Sequence, residues 1–220
     1  MIHTATELRI RQFLGRLPSS APPAAAWNIE TTLRLADRFR EKAAEIRRDE
    51  KLSAQGQREQ ILVVASNGFA EHYGQLVKEA DGALTGVASE VAGLRKRALD
   101  VLGDFSAGLQ REVRVYLRSL NESDRRRLVL ETEEPLVLVS VLNAPAFLSG
   151  LNSEMYGHVE QRVVENAFGA RLKELEVDHN AWENAAAACE IAANEIAREA
   201  EITVEGFKKL TLPSGRSDAA

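Results

Sequence analysis

Apolar positions recur along the chain at spacings of three and four residues, the period of an amphipathic helix. The pattern predicts a helix over residues 29–51 and a much longer helix over residues 54–102, with Ser53 as the N-cap of the second. From Phe69 to Val101 the spacing alternates between four and three with one extra four, as in a coiled-coil heptad. Glycines inside this stretch are candidate positions for a kink or a close helix approach: Gly74, Gly82, Gly86 and Gly93.

The last long helix is predicted over residues 154–208 and has the most regular apolar stripe. Several of its positions are alanine, and small side chains let the backbone of a partner helix approach closely. The spacing of the stripe alternates between four and three without error over Phe168, Leu172, Leu175, His179, Trp182, Ala186, Cys189, Ala193, Ile196 and Ala200.

The region between the two long helices contains shorter segments. Asn121 and Pro135 are signals for helix starts, and the Asn143-Ala144-Pro145 run is a signal for a helix end. We therefore expect a small head of short helices over residues 103–153. The predicted fold is all-α: a long antiparallel, coiled-coil-like helical hairpin formed by residues 29–102 and 154–212, with this head and an N-terminal arm.

Residues 1–28 are predicted to form that arm, a short helix followed by a proline-rich spacer. Three arrangements are open for it: the arm docks on a partner, folds back on its own chain, or is a disordered terminus. Thr6 is a candidate N-cap for the short helix, and residues 213–220 are expected to be a disordered tail. The apolar residues of the arm are Leu8, Ile10, Phe13, Leu14 and Leu17.

Composition narrows the classes of function. Hydrophobic residues make up 45% of the chain but aromatic residues only 5%, so stability has to come from long helix contacts. The net charge of −5 argues against nucleic acid as the main partner. The basic runs at residues 95–97 and 125–127 lie among acidic residues and predict a solvated, salt-bridged face. We expect no secretory signal, because residues 1–28 lack the apolar run that such a signal needs, and no membrane span, because no apolar run reaches about 20 residues.

Residues with catalytic potential are few. Glu176 and His179 resemble one half of a di-iron carboxylate site, but the second E-x-x-H is missing, so we interpret His179 as a hydrogen-bonded histidine at a helix interface. Glu154 and His158 supply only two metal ligands. The single cysteine, Cys189, is expected to be a small buried side chain. We therefore expect no catalytic residue, no metal and no cofactor.

Two stretches carry a family resemblance. Residues 42–60 are two predicted helical segments joined by a turn with the pattern LS-x-x-G-x-R, and residues 115–151 are the second stretch. Both resemble uncharacterised helical head-region proteins of tailed phages and prophages. The resemblance implies a virion structural or assembly protein, such as a capsid-associated, scaffold-like or connector component, found in the virion or the host cytoplasm. It transfers no functional residue.

The leading hypothesis is therefore a non-enzymatic structural or assembly protein that binds copies of itself, or capsid or connector proteins, through helix–helix contacts. The alternative is a cytoplasmic helical adaptor or chaperone that binds one protein client through the head. A third hypothesis is an enzyme with a metal site in a bundle core. The residues predicted to bind a partner are those of the arm, Leu8, Ile10, Phe13, Leu14 and Leu17, and those of the last helix, Phe168, Leu172, Leu175, Trp182 and Ile196.

Overall fold

The structure is a computed structural model that describes residues 5–211, and this part of the chain is all-α, as predicted. The predicted tail at residues 213–220 lies outside the described residues. The helices are α1 (Ala5–Leu14), α2 (Pro23–Arg47), α3 (Ala54–Val64), α4 (Ala70–Leu102), α5 (Ala107–Ser119), α6 (Glu122–Glu131), α7 (Pro135–Leu142), α8 (Ser153–Glu199) and α9 (Val204–Leu210), with a π turn at Ala65–Phe69 and a 3-10 turn at Ala146–Ser149.

The chain divides into two compact units. Unit 1 contains the described residues of Met1–Val87 and Glu176–Ala220, and unit 2 is Ala88–Leu175. Both boundaries fall inside the long helices α4 and α8. In unit 1, Leu76 of α4 shares a cluster with Ile196 of α8, whereas the later Ala80 shares one with the earlier Ala181. In unit 2, Glu90 pairs with Arg171, and the later Arg97 lies over the earlier Phe168. Segments of α4 and α8 are therefore antiparallel within each unit.

Several predicted helix starts are confirmed by their caps, and two are wrong. Ser53 accepts a hydrogen bond from the backbone N–H of Gly56 at 3.1 Å, and Asn121 accepts one from Asp124 at 2.9 Å. The helix predicted over residues 29–51 instead begins at Pro23, whose missing N–H and fixed φ suit the first turn of a helix. Thr6 does not cap α1, since that helix already begins at Ala5.

The helix predicted over residues 54–102 is interrupted. Asn67 has φ −95° and ψ 104°, and Gly68 has φ +89°, so the helical path breaks between α3 and α4. Gly68 is suited to this conformation because it has no Cβ. The kink therefore lies at Gly68 and not at the glycines inside the apolar seam, and that seam starts at Phe69, next to the break.

The last helix also departs from the predicted range of 154–208. α8 ends at Glu199, and α9 begins at Val204 after a turn in which Glu201 has φ +55°. Inside α8, Phe168 leaves the helical conformation with φ −139° and ψ 22°. The apolar stripe runs from Phe168 to Ala200, so both features lie at its ends, and the regular spacing between them gave no sign of either.

Unit 1 is held together by two apolar clusters built largely on alanine. One joins α2, α3, α4, α8 and α9, with Phe39, Tyr73 and Phe207 as its largest members. The rings of Tyr73 and Phe207 lie 5.1 Å apart between centroids. The other joins α1, α2, α4 and α8. Its buried members are Ile10, Phe13, Ala25, Ile29, Leu33, Ala80, Ala181, Trp182, Ala185 and Ala188.

Unit 2 has its own core, in which α7 is the most apolar helix; the buried residues of α7 are Leu138, Val139, Ser140, Val141 and Leu142. The loops around this core are held by arginine side chains that donate to backbone carbonyl groups. Arg125 donates to Leu117, Leu120 and Gly150 at distances between 2.6 and 2.9 Å. Arg162 donates to Val129 and Thr132, at the end of α6.

These contacts correct the prediction that residues 125–127 form a solvated, salt-bridged face. Arg127 does pair with Asp124, at 3.3 Å, but Arg125 is half-buried and ties the end of α5 to Gly150. Gly150 has φ +69° and lies so close to the Arg125 guanidinium that a Cβ would be 2.5 Å from it. The guanidinium thus fills space that a larger residue at position 150 would need.

Replacing Arg125 with methionine keeps the side-chain stem and removes the guanidinium. We expect Arg125→Met to lower the free energy of unfolding by about 3 kcal/mol, because three carbonyl groups lose a charged donor. The matched control is Arg126→Met on the exposed neighbour, with an expected change within about 0.5 kcal/mol. Urea unfolding followed by circular dichroism measures both, and equal effects of the two substitutions would contradict this role of Arg125.

Candidate protein-interaction surfaces

The N-terminal arm is folded back on unit 1. Ile10 and Phe13 of α1 are buried in the cluster that contains Ile29 and Trp182, and Arg9 of α1 forms an ion pair with Glu195 of α8. Leu14 and Leu17 are half-buried against the same cluster, while Leu8 is exposed. Of the arm residues predicted to bind a partner, only Leu8 therefore presents its side chain to solvent in this arrangement.

The predicted stripe of α8 faces inward. Leu175, Trp182 and Ile196 are buried, and Phe168 and Leu172 are half-buried. The prediction that some of these residues bind a partner would require them to be uncovered. His179 breaks the stripe: it is exposed, with Nε2 at 3.3 Å from the carboxylate of Glu183. The interpretation of His179 as a histidine at a helix interface is therefore wrong.

A small polar network is enclosed in unit 1. The fully buried Asn28 donates through Nδ2 to the carbonyl of Leu76 and to the carboxylate of Glu79, both at 3.0 Å. The Sγ of Cys189 lies 3.7 Å from Thr32 Oγ1 and 3.9 Å from Asn28 Oδ1. Burial raises the pKa of the Cys189 thiol to about 11. The network joins α2, α4 and α8 through directional contacts, and it fixes how these helices align.

Charged pairs stabilise α4 against α8 inside unit 2. Arg171 donates to both carboxylate oxygens of Glu90, at 2.8 and 3.0 Å, and this hydrogen bonding lowers the pKa of Glu90. Arg97 lies over the ring of Phe168, 5.7 Å from its centroid. Arg97 in the basic run at residues 95–97 thus has a cation–π partner that the sequence did not indicate.

The residues considered as metal ligands do not come together. Glu154 and His158 are exposed and lie 3.9 Å apart, beside a shallow cavity of about 530 Å³. Glu176 and His179 are both exposed on α8. Among residues 5–211, no group of three or more histidine, cysteine, aspartate or glutamate side chains has the arrangement of a metal site.

Helix α5 of unit 2 exposes several large apolar side chains. On α5, Leu109 and Tyr116 are 41% and 57% exposed, and the half-buried Val113 and Leu120 complete a stripe at spacings of four, three and four residues. The neighbouring face of α5, about a quarter of a turn around the helix, is buried through Gln110 and Leu117. Helix α5 therefore packs on the described part of the chain through one face and leaves Leu109 and Tyr116 exposed on the next. We call Leu109, Val113, Tyr116 and Leu120 the α5 stripe.

The α5 stripe continues into a groove beside α6. The groove has a volume of about 450 Å³ and an open, mixed lining in which Tyr116, Leu120 and Leu128 supply the apolar part. The charged side chains at its edge are Asp124, Arg127 and Glu131. An apolar strip with charges of both signs beside it has the character of a surface that receives an amphipathic helix. The predicted partner-binding residues do not include the α5 stripe, although its spacing is visible in the sequence.

Comparison with known proteins found no matching family model, no matching curated protein and no matching solved structure. Within the described part of the chain, no helix combines the length and the apolar character needed to cross a membrane.

The thiol of Cys189 gives a direct test of the closed packing in unit 1. Because its pKa is raised to about 11, we expect Cys189 in the native protein at pH 8 to react with a disulfide reagent at least about 100-fold more slowly than in denaturant. The free energy of unfolding should also fall progressively as the pH rises from 9 to 11, because in this range the Cys189 thiol ionises in the unfolded chain but not in the folded one.

Cys189→Ser is the control for non-specific signal in this assay. Labelling of the native thiol at the rate of an exposed cysteine would show that α8 does not pack against α2 as described.

Proposed function

We propose that the protein is a non-enzymatic structural or assembly protein that binds other protein subunits through helix–helix contacts. The observation that carries the proposal is the α5 stripe, a partly exposed apolar face on a helix whose neighbouring face is already buried. An exposed apolar surface of this kind is a feature of interaction sites on soluble proteins.

The chemistry of the surface indicates the kind of partner. Tyr116 is a large, amphipathic side chain at the junction of the α5 stripe and the groove, the type of residue that dominates binding energy in interfaces. Arg127 and Glu131 at the groove edge can pair with charges of either sign. The surface therefore suits an amphipathic helix of a protein subunit, with its apolar face on the stripe.

The resemblance of residues 42–60 and 115–151 to head-region proteins of tailed phages supports a particular assembly. The second stretch includes Tyr116 and Leu120 of the α5 stripe. A capsid-associated, scaffold-like or connector component of a tailed-phage particle is the role we propose. The partners are then copies of the chain or neighbouring capsid or connector subunits.

The test is the double substitution Leu109→Glu with Tyr116→Glu. We expect it to weaken association about 100-fold or more, because it places two charges where apolar side chains would be desolvated. The mass in solution, measured by light scattering over a range of concentrations, gives the change. Circular dichroism should be unchanged, because both residues are exposed.

The matched control is Leu62→Glu with Val63→Glu, which alters two exposed apolar residues of unit 1 outside the α5 stripe. Association should be retained in this control. If the parent protein is a strict monomer that copurifies with one client in equal amounts, the adaptor alternative replaces the assembly function. If both double variants associate like the parent, the α5 stripe is not the interface.

A further inference from the structure

We propose that α1 is an exchangeable arm that packs on a second copy of the chain in the assembled protein. In that copy it would occupy the apolar surface of α2, α4 and α8 that α1 covers in its own chain, which we call the unit 1 groove. The partner identified by this inference is the chain itself. The inference rests on the proposed assembly function, although it concerns unit 1 and not the α5 stripe. It follows from the fit of α1 to its groove, the ion pair beside it and the spacer that follows it.

The apolar face of α1 fits the unit 1 groove. Ile10 and Phe13 insert among apolar residues of α2, α4 and α8, of which Ile29, Ala80 and Trp182 are members. Every copy of the chain carries both the helix and a groove that matches it. The contacts made by α1 in its own chain would therefore be the same contacts in a neighbouring copy, so exchange changes the connection and not the interface.

The ion pair between α1 and α8 can report which copy an α1 helix is bound to. Arg9 of α1 pairs with Glu195 of α8, and the Glu195 side chain is only 15% exposed. Like the apolar contacts, this pair joins residues far apart in the sequence. It can form equally well between two copies, and a reversal of either charge marks which α1 lies in which groove.

The spacer decides between the closed and the exchanged form. Residues 15–22 reverse the chain between α1 and α2 through short-range backbone bonds, such as Ala21 N–H to the Pro18 carbonyl at 2.9 Å. Pro18 and Pro22 favour extended conformations, in which the eight residues of the spacer span about 25 Å. A short connection that has to reverse the chain direction, although its prolines favour extended conformations, promotes exchange of the connected helix between copies.

The first experiment changes only the length of the spacer in the full chain. Deleting Ser19, Ser20 and Ala21 should raise the fraction of dimer, because a shortened spacer hinders return to the chain's own groove. Inserting six glycine and serine residues after Ser20 should lower it. Light scattering gives the masses, and circular dichroism checks that both variants are folded. Equal masses for the two variants and the parent would overturn the exchange.

The second experiment uses the charges. Arg9→Glu and Glu195→Arg each place like charges at this contact, whereas an exchanged dimer of one variant with the other restores both pairs. We expect native mass spectrometry of the refolded mixture to show several-fold more mixed dimer than two tagged parent chains give by random pairing. Mixed dimer at the random level would show that α1 is not the exchanged element.

A third pair of variants separates loss of the buried α1 contact from the general effect of adding a charge to α1. Phe13→Asp should abolish the dimer, while Leu8→Asp, on the exposed side of α1, should retain it. If spacer and charge variants have no effect while Leu109→Glu with Tyr116→Glu still weakens association, the exchange fails and the assembly function stands. If only the α5 variants lack an effect, the α5 interface fails and the exchange stands.

Discussion

Close contact between alanine-lined helices is the constraint on which unit 1 depends. Ala185, Ala188 and Ala192 of α8 are completely buried, and alanines of α2 and α4 are buried with them. A methyl group covers little area, so each contact contributes little; the gain comes from many contacts along helices whose axes lie close together. Such packing leaves no room for larger side chains, and it leaves the polar network around Asn28 enclosed, where its hydrogen bonds to Leu76 and Glu79 compensate for burial.

Unit 2 is organised on a different principle. Its helices are short, and their ends and connections are held by arginine side chains that donate to carbonyl groups, with Arg125 and Arg162 each serving more than one. This arrangement secures loops without using the outer face of α5, so Leu109 and Tyr116 are exposed on a well-supported helix. A helix that already presents an apolar stripe in its folded form loses little conformational entropy on binding.

Local patterns predicted the all-α class, the apolar stripe of α8 and the caps at Ser53 and Asn121, because these features depend on local spacing and local hydrogen bonds. They did not show that the stripe faces inward. Periodicity missed the kink at Gly68, although Asn67-Gly68 is a turn signal, because the apolar seam begins at Phe69, just after the break. The role of Arg125 could not be predicted, because its carbonyl partners include Gly150, far away in the sequence. The fit of α1 to unit 1 was likewise open, since amphipathicity shows that a helix has an apolar face and not which surface covers it.

The central claim is that α8 packs against α2 and α4 with no spare volume at its alanines. Ala188 is completely buried and Ala187, the next residue, is exposed, so the two give a matched pair on one helix. The most direct measurement is the free energy of unfolding of Ala188→Leu and Ala187→Leu, from urea denaturation. We expect the free energy of unfolding to fall by about 3 kcal/mol for Ala188→Leu, because the core is overpacked, and to change by no more than about 0.5 kcal/mol for Ala187→Leu. Equal, small changes for both substitutions would contradict it.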